Sequence, residues 1–135
     1  MVQMGVADLA DRPYGTLSTG QQRRLLLGRA LVHDPRYLLM DEPTSGLDPQ
    51  ATFHYLEVVR DLMARGKYLL LVTHHIHEIP PEIERVIMLQ SGAVFAQGTK
   101  ADLLNSTRLS ELYGYPLELI QRGGFYQVFP GALSG

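Results

Sequence analysis

The 135-residue sequence contains no cysteine, which excludes disulfide bonds and thiolate metal sites and is compatible with a reducing compartment. Long hydrophobic runs are missing too. The longest apolar stretches, such as YLLLV at 68–72, are far too short to span a bilayer, so we expect any membrane contact to go through a partner. No signal peptide precedes the first motif, which makes the cytoplasmic side of the membrane the expected location.

The chain also lacks a strong charge of either sign. Its formal net charge of −2 creates no basic field for a phosphate backbone, so we expect no nucleic-acid partner. Its hydrophobic fraction of 45% and charged fraction of 19% are typical of globular proteins, which argues against disorder and against a fibrous repeat. The length corresponds to about one domain, which can bury one hydrophobic core.

A phosphate-binding loop of the form GxxxxGK[ST] is absent as well. Such a loop needs glycines whose backbone approaches the anion and a lysine that reaches the outer phosphates. The chain has only two lysines, Lys67 and Lys100, and neither lies in that pattern. Several segments that follow Tyr14 are nevertheless typical of proteins that handle phosphate.

The first of these segments predicts a helix with a well-defined start. Ser18 and Gln21 have the spacing of a capping box, which predicts a helix over residues 19–33. Three apolar residues spaced three and four apart should form its buried face: Leu27, Ala30 and Leu31. A helix N-terminus attracts anions, and Gly20 leaves room for a phosphate there. An ordinary capped helix without a ligand is the alternative.

Two apolar segments, YLLM at 37–40 and YLLLVT at 68–73, predict strands that are buried on both faces. Between them, Asp48 and Pro49 predict the start of a second helix, which ends at Gly66. This order of strand, helix and strand predicts a βαβ unit, in which the strands are parallel and their carboxyl ends lie at one edge.

Three residues that can do chemistry follow these strands, so we expect them to converge: Asp41, Glu42 and His74. A carboxylate beside a dry core is costly unless it is paired, hydrogen-bonded or bound to a metal. One carboxylate of an adjacent pair can hold Mg²⁺ while the other orients a water, as phosphoryl transfer requires. The alternative is that Asp41 or Glu42 caps the turn before Pro43.

The remainder of the chain predicts shorter elements. Residues 85–98 alternate around a Ser-Gly turn and residues 117–129 around a Gly-Gly turn, which predicts two antiparallel hairpins. Residues 99–114 predict two short helices, each opened by a threonine or serine cap.

Four motifs occur in one order: LSTGQQRR at 17–24, YLLMDEP at 37–43, SGLD at 45–48 and VTHH at 72–75. In this order they resemble the signature motif, the Walker B strand, the D-loop and the switch histidine of the ATP-binding cassette (ABC) ATPases. The resemblance implies an α/β fold, with a P-loop NTPase-like parallel sheet and flanking helices, incomplete at the N-terminus, followed by antiparallel hairpins. It implies a family domain over residues 1–105 and a helix and hairpin extension over 106–135.

The resemblance also implies a role for each matching residue in a subunit that uses ATP and Mg²⁺. Asp41 looks like the Mg²⁺ ligand, and Glu42 like the general base or the residue that orients the attacking water. His74 resembles the switch histidine that senses the γ-phosphate, and Asp48 the D-loop aspartate at the dimer seam. Three residues resemble the signature motif, which contacts the γ-phosphate of ATP held by the opposite subunit: Ser18, Gly20 and Gln21.

An ATP-hydrolysing subunit of an ABC transporter is the implied function. Such a subunit pairs with a second ABC ATPase subunit, the same or different, and binds transmembrane permease subunits at the inner face of the membrane. The Walker A loop and the Q-loop lie upstream in this family and are absent here, so the isolated chain is expected to be inactive. Two residues depart from the family pattern: Thr19 replaces a glycine and His75 an aspartate.

Other functions remain as alternatives. The three histidines His74, His75 and His77 suggest zinc, but adjacent histidines at a strand end point to opposite faces and no Cys or HExxH spacing supports them. Arg23 and Arg24 suggest nucleic acid, but two arginines on a helix are usually a solvated face. Two further alternatives are a non-transport ABC ATPase of the repair or translation type and an inactive ABC-derived interaction fragment. Residues 73–98 resemble subunits sometimes grouped with iron or molybdate importers.

Overall fold

The structure is a computed structural model that describes residues 5–132. The chain forms two compact units, of which the first ends at His74 and the second begins at His75. The division at residue 105 that the family resemblance implies separates a family domain from an extension, and it stays a prediction. Within the described residues no helix has both the length and the apolar character needed to cross a bilayer.

The first unit alternates helices and strands. After two short 3-10 turns, its elements are α1 (Thr19–Ala30), β1 (Tyr37–Asp41), α2 (Pro49–Ala64) and β2 (Tyr68–Val72). The strands pair in parallel, with Tyr37 opposite Tyr68 and Asp41 opposite Val72. The predicted βαβ unit is therefore confirmed.

The predicted capping box starts α1. The Ser18 hydroxyl oxygen accepts from the Gln21 backbone N–H at 3.2 Å, and the Gln21 side-chain oxygen accepts from the Ser18 backbone N–H at 2.9 Å. The helix ends at Ala30, earlier than the predicted residue 33, and the chain then turns through Asp34 at φ 47°. The predicted buried face is only partly correct, because Leu27 is buried while Ala30 is exposed.

The second helix has the predicted start and end. The Asp48 carboxylate accepts from the Ala51 backbone N–H at 2.8 Å, and Pro49 occupies the first helical position. Gly66, with φ 84°, follows the last turn, where a left-handed backbone suits glycine. Burial raises the pKa of Tyr55 to about 12, and its hydroxyl faces the Met40 sulfur at 3.8 Å.

Only one face of the parallel sheet is covered. Leu38 and Met40 are buried under α1 and α2 in a core that includes Val59 and Leu62. On the other face Leu39 is 71% exposed, and its cross-strand neighbours are exposed too. The prediction that both strands are buried on both faces is therefore wrong for this chain. The physical reason is that both helices pack on the same side of a two-stranded sheet.

The second unit contains the two predicted antiparallel hairpins and two short helices. Its elements are a 3-10 turn (Ile76–Glu78), β3 (Arg85–Gln90), β4 (Ala93–Thr99), α3 (Lys100–Leu103), α4 (Ser106–Tyr113), β5 (Leu117–Arg122) and β6 (Phe125–Pro130). Both hairpin turns have two successive residues with positive φ, as type I′ turns require. The cap of α4 is Asn105 and not the predicted serine or threonine; its side-chain oxygen accepts from the Arg108 backbone N–H at 2.9 Å.

The second unit has a hydrophobic core of its own. Its buried members come from β3, both helices and β6, and they are Met88, Leu103, Leu104, Leu109 and Tyr126. Lys100 lies beside this core and donates to the Pro80 carbonyl at 3.3 Å, and its ammonium group lies 5.9 Å from the Tyr126 ring centre. Partial burial lowers the pKa of Lys100, an effect that the charge of Glu82 opposes.

Candidate functional site

Predicted site residues meet at the carboxyl edge of the two parallel strands. Asp41 is the last residue of β1 and is exposed. Glu42 follows it, and its backbone N–H donates to the Val72 carbonyl at 2.8 Å, which continues the pairing between the strands by one residue. His74 lies two residues beyond the end of β2. The parallel register therefore brings the ends of both strands to one place, as the sequence predicts.

The side chains of Glu42 and His74 are in direct contact. Glu42 Oε1 lies 2.6 Å from His74 Nδ1 and also accepts from the His74 backbone N–H at 3.0 Å. The Glu42 side chain is 30% exposed and the His74 side chain 67% exposed, so the imidazole lies on the solvent side of the carboxylate. When Nδ1 carries its proton, the Glu42 carboxylate accepts it and fixes the orientation of the ring.

The backbone of Glu42 is strained. Its φ of 45° lies in the left-handed region, which a residue with a Cβ rarely adopts and which costs on the order of 1–3 kcal/mol. Two hydrogen bonds to the end of β2 hold it there, one from its backbone N–H to Val72 and one to its carboxylate from His74. Strain held in place by such contacts is typical of functional sites.

The signature-like residues form a second cluster in the first unit. The N-termini of α1 and α2 line an open groove of about 570 Å³. The residues that line it include every predicted signature and D-loop residue, together with the departing Thr19: Ser18, Thr19, Gly20, Gln21, Arg24, Gly46, Leu47, Asp48, Gln50, Ala51 and His54. The helix ends therefore present backbone N–H groups on a shared surface, which favours an anion.

The structure gives Gly20 a packing role that the sequence did not reveal. A Cβ at this position would lie 3.2 Å from the Ala51 Cβ and 4.0 Å from Leu47 Cδ2. A contact of 3.2 Å between carbons is tighter than ordinary van der Waals contact. Gly20 therefore lets α1 approach the start of α2, whether or not a phosphate binds beside it.

Two residues that sequence reasoning missed also line this groove. Arg24, which was expected on a solvated face, places a guanidinium nitrogen 3.4 Å from His54 Nε2. Arg24 lies four residues after Gly20, so helical spacing puts both on the same face. The spacing of Gly20 and Arg24 was the sequence signal that could have placed Arg24 in the groove. The Arg24 guanidinium adds a fixed positive charge to a groove that already favours anions.

The residues present fit a nucleotide and a magnesium ion. Asp41 and Glu42 offer carboxylate oxygens, the donor atoms that Mg²⁺ prefers. The groove offers helix N-termini and the Arg24 guanidinium, which suit phosphate oxygens. The carboxylate cluster therefore suits a magnesium ion, and the groove suits the phosphates of a nucleotide.

The histidines differ from the arrangement expected from the sequence. The strand β2 ends at Val72, one residue before the predicted end at residue 73, so the alternation of side chains along a strand does not apply to His74 and His75. His74 belongs to the first unit and contacts Glu42. The rings of His75 and His77, in the second unit, contact each other edge to face with centres 5.6 Å apart.

Comparisons with known proteins agree with the motifs. The family model described as "ABC transporter" matches residues 1–45. A Nod factor export ATP-binding protein I from Burkholderia orbicola is 44% identical over 108 residues, which cover 78% of this chain and 36% of that protein. The chain belongs to the ABC family. It spans about a third of the length of this ABC relative.

Solved ABC structures share the fold. An ATP-binding cassette of an ABC transporter in its ADP conformation is 28% identical, with a TM-score of 0.71 over 82% of this chain and 45% of that chain. A metal-chelate type ABC transporter in an inward-facing conformation has a TM-score of 0.79, over 93% of this chain and 51% of that chain. The latter is 24% identical and is similar in fold alone. The predicted ABC fold class is thus confirmed, and the roles of the individual residues stay predictions.

Proposed function

We propose that this chain supplies the signature, Walker B and switch-histidine elements of an ATP-hydrolysing subunit that powers an ABC transporter. The family and the fold support an ABC ATPase. The chain spans about a third of the length of its curated relative, so the activity belongs to a longer assembly in which a Walker A loop completes the site.

The contact between Glu42 and His74 is the observation that carries this proposal. It joins the two residues that the family resemblance assigns to water activation and to sensing of the γ-phosphate, at 2.6 Å. Glu42 holds this position at the cost of a left-handed backbone. A residue that serves only as a cap would not need an imidazole partner.

Glu42 and His74 have different roles in the proposed reaction. The Glu42 carboxylate orients the attacking water and accepts its proton. Glu42 Oε1 holds His74 at both the backbone N–H and Nδ1, which orients the imidazole that is proposed to contact the γ-phosphate. Asp41 would hold Mg²⁺, which when bound neutralises charge on the phosphate oxygens.

The groove at the two helix ends is proposed to meet nucleotide held by a second ABC ATPase subunit. The Ser18 and Gln21 backbone N–H groups already donate within the capping box, so the donors that these residues can offer a phosphate are the Ser18 hydroxyl and the Gln21 side-chain amide. The backbone N–H groups of Thr19 and Gly20, in the first turn of α1, lie beside them. Asp48 likewise caps α2, and in the proposed dimer it lies at the seam. The Arg24 guanidinium adds attraction for the phosphates.

The assembly proposed here includes transmembrane permease subunits at the cytoplasmic face of a membrane. The relative that is 44% identical is a Nod factor export protein, which favours export over the iron or molybdate import suggested by residues 73–98. Export is therefore the proposed direction of transport. The proposed family domain over residues 1–105 and the extension over 106–135 belong to this same subunit.

The test is ATP hydrolysis by a chain that is extended at its N-terminus with a Walker A half. Glu42→Gln keeps the shape of the side chain but removes the group that activates water, so we expect turnover to fall about 10²- to 10⁴-fold while ATP binding persists. His74→Ala should also lose turnover. Phosphate-release assays measure turnover, and equilibrium binding measures the affinity for ATP.

The matched control is His33→Ala, because His33 is exposed and lies outside both clusters. Its turnover should equal that of the unchanged chain. Full hydrolysis by the Glu42→Gln variant would contradict the proposal, and so would a loss of ATP binding as large as the loss of turnover.

A further inference from the structure

The second unit begins with a cluster of metal-ligating side chains that the proposed ATPase chemistry does not use. His75, His77 and Glu78 lie on and beside the 3-10 turn Ile76–Glu78. One ligand atom from each residue lies within 4.8 Å of the other two. His77 Nε2 is 3.5 Å from Glu78 Oε1, and the two imidazole rings are in edge contact.

The backbone of this turn is well held. The Glu78 N–H donates to the His75 carbonyl at 3.0 Å, and the Ile79 N–H donates to the Ile76 carbonyl at 3.3 Å. Ile76 and Ile79 pack against the core of the second unit. The backbone that carries the three side chains is therefore already ordered, so a bound ion would not have to order it first.

The spacing of the ligand atoms suits a small tetrahedral ion. Bonds of about 2.0–2.1 Å put neighbouring ligand atoms roughly 3.3 Å apart, close to the distance between His77 and Glu78. The remaining atoms need shifts of about 1.5 Å at most, which side-chain rotation provides. Three protein ligands leave a fourth position for water, and the His77 side chain is 51% exposed.

The chemistry of the donor set selects the kind of ion. Two imidazoles with one carboxylate suit zinc and its neighbours among the transition metals, whereas Mg²⁺ and Ca²⁺ prefer oxygen ligands. The Glu78 side chain is only 8% exposed. The chain thus holds this carboxylate beside the two imidazoles and away from bulk solvent.

We infer that His75, His77 and Glu78 form a binding site for a divalent transition-metal ion, with Zn²⁺ as the representative ligand. The ion ties the turn together and leaves one coordination position open to solvent. The site lies wholly within the second unit and does not depend on the proposed ATPase function. A hydrogen-bonded turn without an ion is the competing explanation.

The experiment titrates Zn²⁺ alone into the untagged 135-residue chain in competition with a chromophoric chelator. We expect one ion to bind per chain and the melting temperature to rise with Zn²⁺ concentration, since an ion that binds the folded state stabilises it. His77→Ala should weaken binding at least about tenfold, as loss of a ligand should cost no less than loss of a supporting group.

A second variant and a control keep the result interpretable. Glu78→Gln preserves the shape of the buried side chain and should weaken Zn²⁺ binding to a similar degree. His33→Ala, which removes an exposed histidine outside the cluster, should leave the affinity unchanged. Absence of saturable binding, or equal affinity in the unchanged chain and the His77→Ala variant, would overturn the inference.

Discussion

The two units of this chain cover their strands in different ways. The first unit pairs β1 with β2 in parallel and packs both helices on one side, which leaves apolar side chains exposed on the other. The second unit uses antiparallel hairpins, which commonly keep one face solvated. Parallel sheets are usually covered on both faces, so the exposed face of the first unit is the unusual one.

The residues with predicted chemical roles and the more completely closed hydrophobic core lie in different units. Both clusters of predicted nucleotide residues belong to the first unit, whose sheet has two strands and one covered face. A two-stranded sheet with one open face has little stability of its own. The second unit has a core closed by two hairpins and two helices. The unit that carries the ABC motifs is thus the one that depends more on additional structure.

The largest expected effect concerns the exposed sheet face of the first unit. We expect the isolated chain to self-associate through this face, and the double change Leu39→Thr with Leu70→Thr to weaken that association by more than about 100-fold. Burying each leucine contributes about 1.5–3 kcal/mol, and threonine keeps a high strand propensity. Sedimentation over a range of concentrations measures the change.

The matched control lies on the outer face of the hairpin in the second unit. Ile87 and Leu89 are 59% and 65% exposed, close to the values for Leu70 and Leu39, but Ile87 pairs with the polar Gln97. Ile87→Thr with Leu89→Thr should change the association by less than about threefold. If the changes at Ile87 and Leu89 weakened self-association more than those at Leu39 and Leu70, the exposed face of the first unit would not be the surface through which the chain associates.

The next effect compares one buried leucine in each core. Leu109 is 1% exposed and Leu62 is 2% exposed. Replacing either with alanine should lower the free energy of unfolding by about 2–5 kcal/mol. The cost should be larger for Leu109→Ala, because the half-open first unit can collapse around a cavity more easily than the closed second unit.

Hydrogen exchange resolved along the chain separates the two transitions. Each leucine change should reduce protection mainly in its own unit, because the two hydrophobic cores have no buried member in common. Equal loss of protection throughout the chain after Leu109→Ala would contradict this independence.

Local patterns predicted most of the elements because each is determined by neighbouring residues. The capping box at Ser18, the Asp48-Pro49 helix start and the two hairpin turns all appear as predicted. What the sequence could not show is which strand faces find a partner. Apolar residues on both sides of β1 are compatible with a buried strand, and only tertiary packing shows that Leu39 is exposed.

The candidate site was predictable to the extent that strand order determines it. Parallel strands bring their carboxyl ends together, so the meeting of Glu42 and His74 follows from the βαβ pattern. The role of Gly20 in helix packing and the place of Arg24 in the groove depend on how α1 meets α2, which no local pattern encodes. His74 and His75 were expected at a strand end, with side chains on opposite faces. Because β2 ends at Val72, strand alternation could not predict the contact between His75 and His77.

The smallest expected effect concerns an ion pair at the opposite end of the parallel strands, where Lys67 binds the exposed carboxylate of Asp34. The hydrogen bond from Lys67, together with its charge, lowers the pKa of Asp34 below its ordinary value. A carboxyl with a lowered pKa in the folded state stabilises the fold above its unfolded pKa of about 3.9, and this stabilisation is lost as the pH falls through the folded pKa. Asp34→Asn should therefore lower the melting temperature slightly near neutral pH and match the unchanged chain in strong acid. Asp11→Asn, which changes an exposed aspartate outside this pair, should leave the acid sensitivity of the first unit unaltered. A difference between the Asp34→Asn variant and the unchanged chain that persisted in strong acid would show that Asp34 acts through its strained backbone, at φ 47°, and not through its charge.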